Sequence, residues 1–109
     1  MQGTKKGVEF LGDSLKRLRD FPDGAMDEAG FQLDKVQNGE MPDDFKPMKT
    51  IGQGVFEIRI QESGDAYRVF YIANLEDTVY VLHCFQKKTE KTSSKDLDIG
   101  KNRYKELPR

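Results

Sequence analysis

The chain has 109 residues and a formal net charge of −1; this length suits one modest hydrophobic core, so we expect a single domain over residues 1–109. Its one cysteine, Cys84, cannot form a disulfide within the chain, which excludes a disulfide-stapled fold and favours a reducing compartment. No apolar run approaches the roughly 20 residues of a membrane span, and the N-terminus lacks a signal-peptide core, so we expect a cytoplasmic protein without a membrane anchor.

Positive charge is concentrated near the C-terminus. Residues 1–47 carry seven basic and ten acidic side chains, whereas residues 86–105 carry seven basic and three acidic ones. Clustered like charges repel one another, so such a segment has little structural use by itself. We therefore expect an anionic partner there.

The N-terminal part predicts a strand and then a helix. The stretch GVEFLG, residues 7–12, places Val8 and Phe10 on one side of a short first strand. Apolar residues at helical spacing follow it, namely Leu11, Leu15 and Leu18. Asp13 or Ser14 is the expected N-cap of this helix, and Pro22 closes it.

A second helix is predicted directly afterwards. Apolar residues recur at steps of three and four: Met26, Ala29, Leu33 and Val36. Gly39 stands where a C-terminal glycine cap is expected. The next stretch, NGEMPDDFKPMK, contains two prolines and several turn residues, and we interpret it as a linker.

After this stretch the apolar period changes from that of a helix to that of a strand. Three runs separated by the short turns ESGD and NLED predict an antiparallel meander: VFEIRIQ, AYRVFYIA and TVYVLHCFQ. The third run is apolar on both faces and indicates a central strand. A closing helix is expected from Ser93 or Ser94. The predicted fold class is therefore α+β, with two N-terminal helices packed on a small, mainly antiparallel sheet in the order β-α-α-β-β-β-α.

Cations from separate segments are candidates for one anion site. Arg59 and Arg68 lie on successive strands, and if the ESGD turn pairs these strands directly, both guanidinium groups share one surface. The alternative is that they pair with carboxylates such as Glu57 on an exposed sheet face. Lys87 and Lys88 follow the last strand, and two further lysines, Lys91 and Lys95, continue toward the closing helix. Fixed cations of this kind stabilise the extra charge on a phosphate under attack.

His83 is the only histidine and is considered as an acid or base. Strand alternation places it on the face of Val79, Val81 and Phe85, which favours a buried structural role. Tyr104 could reach a stacked base. One histidine and one cysteine without a carboxylate cluster do not make a metal-ligand set, so we expect neither a metal nor another cofactor.

Three segments resemble the RelE/ParE superfamily of bacterial toxins from type II toxin–antitoxin modules, and in particular its phage-derived HigB-like branch. They are KPMKTIGQGVFEIRI, YRVFYIA and VYVLHCFQKKTEKT. The resemblance implies a RelE-like fold and a metal-independent endoribonuclease, or mRNA interferase, which cuts mRNA on the ribosome by attack of a 2′-hydroxyl on the adjacent phosphate. By this similarity Arg68 stabilises the phosphate, Arg59 is the basic residue of the preceding strand, and Lys87 and Lys88 are the basic pair that stabilises the transition state or acts as general acid.

The resemblance also implies the partners. We expect a cognate antitoxin of the helix-turn-helix, HigA-like kind, and mRNA contacts through Lys49, Lys91, Lys95 and Tyr104. Because the chain is close to neutral, its own RNA affinity is limited, and a ribosome would supply the positioning. The general base stays open. Two alternatives also stay open: a ParE-like inhibitor of DNA gyrase that acts by protein contact, and a degenerate toxin that only binds an antitoxin.

Overall fold

Five strands and three helices make up the fold in a computed structural model that describes residues 5–108. Their order is β1 (Gly7–Phe10), α1 (Ser14–Arg19), α2 (Asp23–Gln37), β2 (Phe45–Pro47), β3 (Val55–Glu62), β4 (Asp65–Leu75), β5 (Thr78–Lys87) and α3 (Ser94–Lys105). The strands form one sheet in the order β1-β5-β4-β3-β2, in which β1 is parallel to β5 and the other pairs are antiparallel. The predicted α+β class and mainly antiparallel sheet are confirmed.

The C-terminus of α2 and the N-terminus of α3 follow from local sequence signals. Gly39 has a φ of +85°, and its N–H donates to the carbonyl of Val36 while the N–H of Glu40 donates to that of Lys35, which is the glycine cap expected for α2. At the start of α3, the Ser93 hydroxyl accepts the N–H of Asp96 at 3.1 Å. Both predicted caps are confirmed.

The predicted linker contains a strand that the sequence pattern did not indicate. Phe45–Pro47 pairs antiparallel with β3, with Lys46 opposite Glu57. Three residues are too few to display a period of two, and a proline usually argues against a strand. Pro47 is tolerated because β2 is the edge of the sheet, where a missing N–H breaks no ladder.

Two hydrophobic clusters cover the two faces of the sheet. On one face, which we call the α2 face, residues of α1 and α2 such as Leu18 and Leu33 pack against strand residues such as Ile58 and Val69. The opposite side, the α3 face, is covered by α3 and the segment that follows it, including Leu107. Within residues 5–108, no helix has the length and apolar character that crossing a membrane requires.

A bulge in β5 changes the expected face of His83. Phe70 pairs with His83 whereas Tyr71 pairs with Val81, so Leu82 is an extra residue on β5. Leu82 and His83 therefore both lie on the α3 face, while Val81 remains on the α2 face. The prediction that His83 shares a face with Val79 and Val81 is wrong for this reason. Its predicted neighbour Phe85 is confirmed, with the two rings stacked at 5.0 Å.

Candidate functional site

An open pocket of about 330 Å³ lies on the α3 face, between the strands and the segment that joins β5 to α3. Its lining includes five cations, one from each of β2 to β5 and one from that segment: Lys46, Arg59, Arg68, Lys87 and Lys91. Two carboxylates, Glu57 and Glu90, also line it. We call it the cationic pocket, since positive side chains from five separate parts of the chain meet there.

The two arginines are direct neighbours across β3 and β4. The turn pairs Arg59 with Arg68 in register, so both side chains lie on the α3 face, as the alternation predicted. Arg59 is exposed, whereas Arg68 is only 6% exposed and donates from Nη1 to the carbonyl of Tyr67 at 3.0 Å. Burial lowers the pKa of Arg68, and the nearby charge of Arg59 adds to that shift. The pocket therefore holds two like charges side by side.

Arg68 also faces a buried carboxylate. Its Nε lies 3.6 Å from Oε1 of Glu57, and both side chains are more than nine-tenths buried. This distance is too long for a hydrogen bond. Neither Nε of Arg68 nor Oε2 of Glu57 has a hydrogen-bond partner in the described part of the chain. Burial raises the pKa of the Glu57 carboxyl, and the charge of Arg68 opposes this rise most strongly among the neighbouring cations.

The lysines at and after the end of β5 lie in different places. The half-buried Lys87 lines the cationic pocket and donates from Nζ to the carbonyl of Glu90 at 2.6 Å. Lys91 lies farther along, in a turn where the Thr89 hydroxyl donates to its carbonyl. Lys88 is exposed and is not part of the pocket lining. Of the four predicted catalytic cations, the structure brings Arg59, Arg68 and Lys87 together and leaves Lys88 outside.

Three of the predicted RNA contacts also lie elsewhere. Lys49 lines a separate groove beside Phe56, and Lys95 is an exposed residue of α3. The Tyr104 hydroxyl donates to the carbonyl of Gln53 at 3.1 Å, and its ring lies so close to Gly52 that an added Cβ there would be 2.3 Å from it. Tyr104 is thus held against the loop before β3, and only Lys91 of the four lies in the pocket.

His83 has a structural environment. It is fully buried, and its Nε2 lies 2.7 Å from Oδ1 of Asp96, whose Oδ2 accepts the hydroxyl of Ser93 at 2.7 Å. Burial lowers the pKa of His83, and the hydrogen bond to Asp96 opposes this shift. His83 is not part of the pocket lining. The geometry favours the predicted buried, structural role of His83, and its contact with Asp96 joins β5 to the start of α3.

The sequence interpretation did not assign three charged residues of the pocket to the site: Lys46, Glu57 and Glu90. Glu57 has the same strand parity as Arg59, so alternation indicated its face, but its burial depends on the chain that covers the sheet. Lys46 lay in the stretch interpreted as a linker and comes to the pocket because β2 pairs it with Glu57. Within residues 5–108, no group of three or more histidine, cysteine or carboxylate side chains is arranged to hold a metal ion.

Comparison with known proteins gives one family. The family described as "Phage derived protein Gp49-like (DUF891)" matches residues 16–105, a range that contains every residue of the cationic pocket. No curated protein matches the chain significantly.

Proposed function

The chain belongs to the phage-derived Gp49-like family, which is associated with the toxins of toxin–antitoxin systems, and from this premise we propose that it is a type II toxin that cleaves mRNA as a metal-independent endoribonuclease. The cationic pocket is the observation that carries the proposal. Three of its cations, Arg59, Arg68 and Lys87, stand on three adjacent strands, where a rigid sheet fixes their separation.

The proposed reaction needs charge stabilisation and two proton transfers. The 2′-oxygen of a ribose bonds to the adjacent phosphorus, and the bond from phosphorus to the 5′-oxygen breaks, which leaves a cyclic phosphate and a 5′-hydroxyl. Arg68 and Arg59 stabilise the extra negative charge on the phosphate as the attack proceeds. Lys87 is the proposed proton donor to the departing 5′-oxygen.

Glu57 is the proposed general base for the 2′-hydroxyl. It is the pocket carboxylate that lies among the arginines, whereas Glu90 is exposed in the following turn. A carboxyl whose pKa is raised by burial accepts a proton at neutral pH more readily than an ordinary glutamate does. A glutamate base needs no loss of positive charge from the pocket, whereas a lysine would have to be deprotonated before it could act as the base.

The proposed partners follow from the family and the charge balance. A toxin of this type is neutralised by an antitoxin, for which we propose the helix-turn-helix, HigA-like kind. The net charge of −1 limits the electrostatic affinity for free RNA. We therefore propose that the ribosome positions the mRNA and that the protein acts in the cytoplasm.

The test is to map RNA 5′ ends on ribosomes programmed with mRNA, with the wild-type chain and with the Arg68→Ala variant. We expect new 5′-hydroxyl ends with the wild type and loss of them with the variant. Lys49→Ala is the matched control, because it removes a cation outside the pocket. Absence of cleavage, or cleavage unchanged in Arg68→Ala, contradicts the proposal. Inhibition of gyrase supercoiling without RNA cleavage would support the ParE-like alternative instead.

A further inference from the structure

We propose that Glu57 occupies the place of the RNA phosphate as the counter-ion of Arg68, and that RNA binding makes Arg68 exchange Glu57 for the phosphate, which raises the affinity of the Glu57 carboxylate for a proton. The inference rests on the proposed function, because it takes an RNA phosphate as the ligand of the cationic pocket. By this inference the substrate phosphate releases Glu57 from its contact with Arg68, and Glu57 can then act as the base.

The contact between Arg68 and Glu57 is built for exchange. A structural pair of arginine and carboxylate is usually bidentate, with two short charge-assisted hydrogen bonds. Here the nearest atoms are 3.6 Å apart, and Nε of Arg68 and Oε2 of Glu57 lack hydrogen-bond partners among the described residues although both are buried. Buried polar atoms without partners are costly, so a ligand that offers oxygens to Nε improves the hydrogen bonding of the site.

The charges around Glu57 favour the same exchange. Lys46 faces it from β2, Arg59 from β3, Arg68 from β4 and Lys87 from β5, with Lys91 and Glu90 on the turn after β5. From α3 the pocket receives the apolar Leu97, while Asp96 is bonded to His83. Cations thus surround one buried carboxylate. A phosphate adds negative charge and withdraws Arg68, and both changes favour a protonated Glu57.

The source of the proton distinguishes substrate from analogue. With cleavable RNA, Glu57 takes the proton of the attacking 2′-hydroxyl. With RNA whose 2′-hydroxyls are methylated, no such proton exists, so Glu57 takes one from water and the uptake can be observed. Because a proton is bound together with the RNA, binding of the methylated RNA strengthens as the pH falls through the Glu57 titration.

The experiment follows the side-chain carboxyl carbon of Glu57 by NMR during a pH titration, with and without a 2′-O-methylated trinucleotide. Through-bond correlations assign this resonance in the wild-type chain, so the measurement needs no variant. We expect saturating RNA to raise the midpoint of the Glu57 titration by about one pH unit or more. Glu57→Gln is expected to bind the same RNA several-fold more tightly at neutral pH, because Arg68 no longer has a competing anion. Glu90→Gln, the matched control at the rim of the pocket, leaves the Glu57 midpoint responsive to RNA.

The outcomes separate this inference from the proposed function. An unchanged Glu57 midpoint in the presence of bound RNA overturns the exchange, and so does failure of the trinucleotide to bind. If the midpoint rises but ribosome-programmed mRNA is never cut, the exchange is supported and the ribonuclease proposal fails. If mRNA is cut and the midpoint does not move, the ribonuclease proposal stands and the exchange fails.

Discussion

The buried polar groups on the two faces of the sheet differ in charge and in how many of their hydrogen bonds are made. On the α2 face, the buried Gln32 uses its amide fully, with bonds to Glu28 and to both the side chain and the N–H of Asp43. The buried polar atom without a partner on this face, among the described residues, is the uncharged hydroxyl of Tyr71. On the α3 face, Glu57, Arg68 and His83 are all buried, and each has an atom without a hydrogen-bond partner in the described structure. The α2 face therefore mainly stabilises the fold, whereas the α3 face holds charges at a cost in stability, as expected of a site that binds an anion.

The largest expected effect comes from replacing the buried charged pair of the α3 face, Glu57 and Arg68, by apolar residues. In the double variant Glu57→Leu with Arg68→Met, we expect an unfolding free energy equal to the wild type or higher by about 1–4 kcal/mol, because two desolvated charges disappear. RNA cleavage should fall by about 10²-fold or more, because a main stabiliser of the transition state is gone. Urea unfolding and 5′-end mapping measure the two effects.

The single variant Arg68→Met is the control for this double variant. Arg68→Met leaves Glu57 buried without its counter-ion, so we expect it to be the less stable protein, by about 3–5 kcal/mol relative to the double variant. If the double variant is the less stable of the two, the pair contributes to stability and the contrast between the faces is wrong.

A substitution on the α2 face should lower the unfolding free energy and leave RNA cleavage unchanged. Leu33 is 4% exposed in the cluster beneath α2, so Leu33→Ala should lower the unfolding free energy by about 2–5 kcal/mol through lost burial and a residual cavity. Cleavage per folded molecule should stay unchanged, because Leu33 is on the other side of the sheet from the cationic pocket. Leu97→Ala, at a half-buried leucine of the α3 face, is the matched control and should cost less stability. Equal losses in the two variants would contradict the prediction.

The same contrast shows what the sequence could predict. The shared surface of Arg59 and Arg68 follows from strand alternation and a short turn, both of which are local, and the structure places them in register. The burial of residues 79–85 of β5 likewise follows from its apolar residues on both faces.

Other features depend on contacts between distant parts of the chain. Glu57 has the pattern of an exposed strand residue, yet it is 3% exposed in a pocket lined by residues from several parts of the chain. The extra residue Leu82 has no sequence signal, because a bulge is selected by what packs on the strand, here α3 through His83 and Asp96. β2 is too short to show any period. The pocket therefore could not be predicted in full, although four of its five arginines and lysines were.

A smaller effect is expected in the pH dependence of stability, to which the buried His83 and Glu57 of the α3 face should contribute with opposite signs. Burial lowers the pKa of His83, so the folded protein binds a proton there less readily than the unfolded chain, whose histidine titrates near about 6.5. Stability should thus fall as the pH drops below that value, by up to about 1.4 kcal/mol per pH unit. Glu57 has the opposite sign: its pKa is raised on folding, so its contribution is lost as the pH rises.

Urea unfolding of the wild type and of the His83→Gln and Glu57→Gln variants, measured as a function of pH, separates the contributions of His83 and Glu57 to stability. We expect the first variant to remove the loss of stability on the acid side, and the second to remove the opposing slope. Asp13 and Asp43 have lowered pKa values, so their contributions are lost as the pH falls from the usual range of a carboxyl pKa through these lowered values. If the stability of the Glu57→Gln variant does not fall as the pH drops below about 6.5, the lowered pKa of the buried His83 is contradicted.

The smallest expected effect tests how far the anion site extends over the α3 face. Lys91→Ala removes an exposed cation of the pocket, and Lys49→Ala removes one that lies in the separate groove beside Phe56. If the RNA backbone follows the cationic pocket, Lys91→Ala should weaken binding about threefold and reduce the salt dependence of binding by about one phosphate contact, a change in slope of about 0.7. Lys49→Ala should change neither quantity. Equal losses in both variants would mean that the RNA crosses the edge of the sheet at β2 and contacts both sides, and the division of labour between the two faces would no longer hold.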